Sequence, residues 1–168
     1  MAIVNNLCEV VEDDWIRYDR DRLIGCASRV VASVADLAKY RKYFKRAVFQ
    51  LGVELEVTVA IEEISDWLPR LDLVILNFDS FADGRAFSQA RILRERYHYA
   101  GDIRAQGEVL RDQLSFMQRC GINQFDLVDN EDVDLALNSF SDTSKNYIYI
   151  SAFWAGVVAF IIVIAIVA

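Results

Sequence analysis

Seven arginines and no lysine occur between residues 85 and 119. They are Arg85, Arg91, Arg94, Arg96, Arg104, Arg111 and Arg119. A guanidinium can donate two parallel hydrogen bonds to a carboxylate, a phosphate or a sulfur oxyanion, which an ammonium cannot do with the same geometry. The clustering of arginine rather than lysine therefore indicates oxyanion recognition in this part of the chain.

Two glycines occur where predicted helices begin, and an arginine lies near the start of each helix. The positive end of a helix dipole disfavours cations, so these arginines are unusual for purely structural positions. In a parallel α/β sheet both helix starts lie at the carboxyl ends of strands, where ligands usually bind. The predicted anion- or partner-binding residues are Asp83, as a local cap or orienting residue, with Gly84, Arg85, Ser88, Arg91, Arg104, Gly107 and Arg111.

Ion pairing is the alternative explanation of the same arginines. Glu95, Asp102, Glu108 and Asp112 lie close to them in the sequence and could neutralise much of the cluster. The segment contains neither a P-loop nor a GxGxxG pattern, so no motif decides between a binding site and a solvated surface of ion pairs. Both interpretations stay open at this point.

Alternating strands and helices are predicted to hold these residues. The 2-residue alternation of residues 53–59 is typical of a strand at or near a sheet edge, whereas the apolar run 71–78 predicts a central parallel strand. The other predicted strands are 102–106 and 122–128, and the predicted helices are 34–51, 85–97, 110–120 and one beginning near residue 130. The expected fold class is α/β, with a parallel or mixed sheet and flanking helices.

Composition excludes several functional classes. The chain has 168 residues, a formal charge of −7 and 54% hydrophobic residues, which argues against a disordered protein and against nucleic-acid binding. The cysteines Cys8, Cys26 and Cys120 are widely spaced and His98 is the only histidine, so no metal site is predicted. His98 is expected at an exposed helix end, and Cys120 is expected to pack in the core rather than act as a redox thiol.

The chain divides at its last charged residue, Lys145. Residues 1–145 are expected to form the α/β domain, and residues 146–168 an apolar C-terminal segment. Residues 151–168 contain no charge or proline and, as a helix, would extend about 27 Å, close to the thickness of the hydrocarbon core of a bilayer. The expectation is a cytoplasmic body with a C-terminal membrane anchor; a buried helix, an aggregation-prone segment and a reading-frame change are the alternatives.

Residues 77–96 resemble a bacterial family named domain of unknown function 934. Its members carry phenylalanine-x-aspartate-glycine-arginine followed by serine-x-alanine-arginine-x-leucine-arginine, which correspond here to residues 81–85 and 88–94. Residues 104–114 and 116–121 form a second similar block, and residues 12–15 fit the acidic-tryptophan element of the family. The likeness covers roughly residues 10–140, and the apolar C-terminal segment departs from it.

The resemblance implies an accessory role in assimilatory sulfite reduction, with sulfite reductase as the expected partner. It brings no mechanism, no cofactor and no catalytic residue. A small oxyanion or phosphate ligand is compatible with the arginines. The alternatives are an oxidoreductase whose phosphate-bearing cofactor is clamped by Arg85 and Arg111, and a membrane-tethered adaptor without catalytic activity.

Overall fold

The computed structural model describes residues 2–7, 9–19, 28–80 and 83–127. These residues form an eight-stranded sheet with helices in the connections between strands. The strands are β1 (Ala2–Asn5), β2 (Val10–Val11), β3 (Ile16–Arg17), β4 (Arg29–Ser33), β5 (Gln50–Leu55), β6 (Leu71–Phe78), β7 (Asp102–Gly107) and β8 (Gln124–Leu127). The α-helices are α1 (Val34–Lys39), α2 (Arg41–Arg46), α3 (Arg85–Arg91) and α4 (Leu114–Arg119). Ile61–Arg70 and Arg111–Gln113 are 3-10 helices, and Ile92–Arg96 continues α3 as a π-helical turn.

The strand order across the sheet is β2-β1-β8-β7-β6-β5-β4-β3. Strands β3 to β8 are parallel and each lies beside the next strand in the sequence, whereas β1 pairs antiparallel with β8 and with β2. The predicted α/β class is therefore confirmed, and the sheet is mixed. From β3 to β8, each new strand is added on the same side of the previous one. With right-handed crossovers, this order places all the connecting helices on one face of the sheet.

The two faces of the sheet are covered differently, as this topology requires. Buried helix residues such as Met117 belong to one large apolar cluster together with strand residues such as Ile103. On the opposite face Leu73 and Ile75 belong to a small cluster against which Trp15 packs. We call this second face the inner face.

The sheet is strongly curled. Residues 12–15 connect β2 to β3, which lie at opposite ends of the strand order. An extended chain of this length reaches about 18 Å, whereas the outer strands of a flat eight-stranded sheet would be about 34 Å apart. Arg17 of β3 also donates a hydrogen bond to Gln106 of β7 at 3.0 Å, although three strands, β4 to β6, lie between them in the strand order. The inner face is therefore concave, with the helices outside it.

The strand predicted at or near a sheet edge over residues 53–59 is β5, which ends at Leu55 and lies inside the sheet, between β4 and β6 and two positions from the β3 end. Val53 and Leu55 are buried under the helices, whereas Glu54 is half-buried on the inner face. The alternation therefore reflects a face that helices do not cover, rather than a strand without a neighbour. An edge strand and an internal strand with one uncovered face show the same alternation of apolar and polar residues, so the sequence could not distinguish the two.

The single helix predicted at residues 34–51 is wrong. Two short helices, α1 and α2, are separated at Tyr40, and the chain then enters β5 at Gln50. Ser33 caps the start of α1 by accepting a backbone hydrogen bond at 3.1 Å. The Gln50 N–H donates to the carbonyl of Ser28 at 2.8 Å, so the last predicted turn is replaced by strand pairing.

Other predicted elements are confirmed. Strand β6 is central and its apolar residues are buried on both faces. Helix α3 begins at Arg85. Of the apolar stripe predicted for this helix, Ala86, Ala90 and Leu93 are buried, whereas Tyr97 is half-buried. Gly121 follows α4 with a φ of 98°, the left-handed conformation expected of a C-terminal glycine. The 3-10 helix Ile61–Arg70 was not predicted, although it buries Trp67.

The helix predicted near residue 130 and the apolar residues 146–168 lie outside the described residues. Within the described ranges, no helix has both the length and the apolar character needed to cross a membrane. The proposed anchor at residues 151–168 therefore stays a sequence-based prediction.

Candidate binding site at the carboxyl edge of the sheet

The carboxyl ends of β6 and β7 lie side by side, and each leads to one of the two arginine-bearing helix starts. Two aromatic contacts connect these helix starts. The Phe87 ring on α3 lies 5.0 Å from Phe78, where β6 ends, and 4.9 Å from Phe116 on α4. We call the residues at this edge the rim: Asp83, Gly84, Arg85, Ser88, Gly107 and Arg111.

Asp83 and Arg85 form an ion pair within the loop that leads into α3. Arg85 donates from Nη2 to Asp83 Oδ2 at 2.6 Å and from Nε to both carboxylate oxygens at 3.0 Å. The backbone N–H of Arg85 also donates to Asp83 Oδ1 at 3.0 Å. The side-chain hydrogen bond from Arg85 is the main cause that lowers the pKa of Asp83 to about 2, and the pair raises the pKa of Arg85. The charge of Arg85 is thus balanced locally.

Two further predicted site residues, Arg91 and Ser88, lie on α3 and differ in whether they could contact a ligand at the rim. Arg91 pairs with Glu95 at 3.2 Å, and both side chains are exposed. It lies six residues beyond Arg85, about 9 Å along the helix, and so apart from the rim. Ser88 is exposed on the first part of α3.

Arg111 is the rim cation without a described ion-pair partner. It is exposed at the start of the 3-10 helix after β7, and no carboxylate among the described residues lies within 4.0 Å of its guanidinium. Gly107 precedes it with a φ of 103°, and a Cβ there would lie 2.5 Å from the carbonyl oxygen of Phe78. The close approach of β7 to β6 therefore requires glycine, whether or not a ligand binds.

Arg104 lies on the inner face, which corrects its predicted place at the carboxyl edge. Its neighbours Ile103 and Ala105 are buried on the helix face, so strand alternation points Arg104 the other way. Its side chain is 4% exposed, and it donates to Asp13 at 2.9 Å and to Gln124 at 3.0 Å. The arginine cluster is therefore divided between two faces of the molecule.

A cavity of about 560 Å³ opens at the carboxyl ends of β4, β5 and β6. Its polar lining includes Ser33, Asn77 and three glutamates, Glu54, Glu56 and Glu63. Glu54 pairs with Arg17 and accepts a hydrogen bond from Asn77 at 3.0 Å. This half of the edge carries several carboxylates, whereas the rim has one arginine, Arg111, beside the Asp83–Arg85 ion pair. Among the described residues, no group of histidine, cysteine and acidic side chains could hold a metal ion.

Sequence reasoning missed this acidic half of the edge. The spacing of Glu54 and Glu56, two residues apart at the end of an alternating strand, was available as a signal. In the sequence alone, this spacing indicates only a half-buried strand.

A family model described as "Bacterial protein of unknown function (DUF934)" matches residues 52–151. The chain belongs to the DUF934 family. This match confirms the resemblance seen in the sequence, and it contains every residue of the rim. No curated protein matches the chain.

The DUF934 match begins at Gly52, in β5, and so leaves residues 12–15 outside the matched range. The structure nevertheless gives these residues a defined place, since Asp13 pairs with Arg104 and Trp15 packs on the inner face. The family description assigns no activity, so the chemistry has to be argued from the side chains.

One arginine of the DUF934 region has a structural role. Arg94 donates from Nε to the Gly121 carbonyl at 2.9 Å and from Nη1 to the Tyr99 and Gly101 carbonyls at 2.5 and 2.8 Å. Burial lowers the pKa of Arg94. This guanidinium joins the turn after α3 to the turn after α4, and it is not available for a ligand.

His98 lies at an exposed helix end and Cys120 is buried, as predicted from the sequence. His98 is exposed with a φ of 51°, in the turn that ends the α3 helix. Cys120 is a buried free thiol next to α4, and burial raises its pKa. A buried thiol with a raised pKa lacks the environment of an activated nucleophile.

Proposed function

We propose that this chain is an accessory protein of assimilatory sulfite reduction that binds sulfite reductase through the rim. The family resemblance supports the pathway and the partner. The position of Arg111 supports the site, because an exposed guanidinium without a described carboxylate partner is free to meet an acidic group on another protein.

The neighbourhood of Arg111 favours a protein partner. Phe116 is 47% exposed, its ring packs against Phe87, and the Arg119 guanidinium lies 5.5 Å from its centre. Arginine and aromatic side chains are enriched where protein interfaces have their largest energetic contributions. The rim together with Phe116 therefore has the composition of a docking surface.

The pairing of Arg85 with Asp83 also favours a protein partner over a small anion. A small anion held between Arg85 and Arg111 would first have to displace a carboxylate that makes several hydrogen bonds to Arg85. A protein surface can engage Arg111 and Phe116 while the Asp83–Arg85 pair stays intact. Binding of a protein partner therefore requires less rearrangement of the Asp83–Arg85 pair than binding of a small oxyanion.

Co-purification with sulfite reductase tests this proposal. The full-length chain is expected to retain the reductase, and Arg111→Glu should weaken binding at least about tenfold, because it places a charge of the wrong sign at the interface. Arg41→Glu is the matched control, since Arg41 is also exposed but lies on α2 and pairs with Asp66. Equal binding by the wild type and by Arg111→Glu would contradict the proposal, as would the absence of any complex.

An oxidoreductase with a phosphate-bearing cofactor clamped by Arg85 and Arg111 is the alternative proposal. The two arginines at neighbouring strand ends are the observation in its favour. The chain as purified would then carry a flavin or haem absorption spectrum, or would be stabilised against heat by nucleotides, phosphate, sulfate or sulfite. Thermal unfolding with each of these ligands, compared with Arg111→Glu, distinguishes this alternative from protein docking.

Membrane anchoring of a cytoplasmic body is a separate proposal that rests on the sequence of residues 151–168. These residues carry no charge and extend far enough as a helix to cross a bilayer. Extraction of membranes at alkaline pH tests it: the full-length chain should stay with the membrane fraction, and its release into the supernatant would end the idea.

A further inference from the structure

Residues 12–15, with the sequence Glu-Asp-Asp-Trp, cross the inner face of the sheet between β2 and β3. We call these residues the strap. Glu12, Asp13 and Asp14 are exposed to solvent. Among the described residues, no backbone–backbone hydrogen bond joins positions 12–14 to the sheet. Strands β2 and β3 fix the two ends of the strap in the sheet, and between these ends its side chains hold it in place.

Two arginines of the inner face receive the carboxylates of the strap. Arg104 donates to Asp13 at 2.9 Å, and Arg29 donates to Asp14 at 2.7 Å. Arg104 is positioned independently of the strap, because its Nε donates to Gln124 at 3.0 Å. The guanidinium would thus keep its orientation if Asp13 were to leave.

The inner face also holds a slot for the indole of the strap. Trp15 packs against the cluster that contains Val31 and Leu73, and the Arg29 guanidinium lies 6.0 Å from its ring centre. The slot depends on Gly52, because a Cβ at that position would lie 3.2 Å from Trp15 Cζ3. The sheet therefore presents two guanidinium groups and an aromatic slot at fixed positions.

We propose that this part of the inner face is a binding site for a partner peptide with adjacent carboxylates followed by an aromatic residue, and that the strap occupies the site in cis. A cavity of about 240 Å³ lies under the strap, lined by Arg29 and Arg104 among other residues. Two carboxylates of the sheet, Asp72 and Asp102, also line this cavity, so the selectivity for an acidic peptide rests on the Arg104–Asp13 and Arg29–Asp14 pairings and not on the net charge of the cavity. Asp102 accepts hydrogen bonds from Asn123 and Gln124, so its carboxylate is engaged within the sheet.

The site is separate from the rim, and its occupation does not depend on the function proposed above. A strap attached to the same chain has a high effective concentration, so a free peptide competes poorly with it. Exchange becomes measurable when the strap is weakened, or when a partner supplies further contacts beyond the peptide. The strap therefore favours binding of a partner that also contacts the protein outside this site, because a short peptide alone competes poorly with the strap.

Binding of a fluorescent peptide with the sequence of residues 10–16 tests the proposal. The receptor is the full-length chain with Asp13→Asn, Asp14→Asn and Trp15→Ala, and the wild type is the comparison. The strap variant should bind the peptide at least about tenfold more tightly than the wild type in an anisotropy titration. A peptide with both aspartates replaced by asparagine is the matched control and should lose this binding.

A folded strap variant that binds the acidic peptide no better than the asparagine peptide overturns the proposal. Circular dichroism and a cooperative thermal transition establish that the variant is folded. Should the triple variant fail to fold, Asp14→Asn alone is the second receptor, because the side chain of Asp14 is 58% exposed and the Arg104–Asp13 pair is retained. This variant should show a smaller gain over the wild type, and no gain would equally overturn the proposal.

Discussion

The guanidinium of Arg104 and the carboxylate of Asp13 lie 2.9 Å apart although 91 residues separate them in the sequence. The Arg104 side chain is 4% exposed, whereas that of Asp13 is 49% exposed. This contact connects the strap to the middle of β7 and gives a nearly buried cation its anionic partner.

Replacing Asp13 with Asn should destabilise the fold, because a nearly buried charge loses its counter-ion. A hydrogen bond between charged groups contributes about 1.5–3 kcal/mol, and we expect a loss of unfolding free energy in this range by chemical denaturation. Asp66→Asn is the control: it breaks the exposed Arg41–Asp66 pair and should cost less than about 1 kcal/mol. Equal losses in the two variants would show that burial of Arg104 has no energetic consequence.

The two glycines of the rim should respond oppositely to alanine. Gly107→Ala is expected to cost at least about 2 kcal/mol, since its φ of 103° is left-handed and a Cβ would lie 2.5 Å from a Phe78 carbonyl oxygen. Gly84→Ala should leave stability unchanged or raise it by up to about 1 kcal/mol, because a Cβ there meets no atom within 4 Å. Thermal or denaturant unfolding of both variants measures the contrast, and a tolerated Gly107→Ala would contradict it.

The carboxyl of Asp83 should titrate near pH 2 instead of its ordinary value of 3.8. Because this pKa is lowered in the folded protein, the pair stabilises the fold above about pH 3.8, and the contribution is lost as the pH falls towards 2. A titration of the carboxyl carbon by NMR measures the midpoint. In Arg85→Ala the midpoint should rise towards 3.8, and an unchanged midpoint would show that another group lowers the pKa.

Cys120 should react slowly with a thiol reagent in the native protein. Burial raises the pKa of the thiol, so the reactive thiolate is scarce at neutral pH, and the buried position also blocks the reagent. In a Cys8→Ser, Cys26→Ser background, labelling at pH 7.5 should be at least about tenfold slower than after denaturation. Rapid labelling of the native protein would instead support a redox role for this cysteine.

The predictable part of the fold was local in the sequence. The apolar run of β6 and the stripe of α3 each depend on residues close together, and both were predicted correctly. The break at Tyr40 and the early start of β5 were not, because pairing of Gln50 with Arg29 on a neighbouring strand decides them. In β5, only one face is covered by helices, and this produces the alternation of apolar and polar residues that is also typical of an edge strand.

The same limit applies to the candidate site. Asp83 and Arg85 are two residues apart, so their pairing could be suggested from the sequence. The place of Arg104 could not, because the curl of the sheet and the path of the strap bring Asp13 to it. Strand alternation between Ile103 and Ala105 was the available sign that Arg104 faces away from the helices.

The antiparallel pairing of β1 with β8 sets a time order for folding. Asn5 lies opposite Gln124, so β1 leaves the ribosome roughly ten seconds before its partner strand at ordinary translation rates. During that interval β1 and β2 lack their place in the sheet, and pairings over such sequence separations also form slowly. The parallel strands β3 to β8 can assemble in the order of synthesis, and β1 can take its place in the sheet only after β8 has been synthesised.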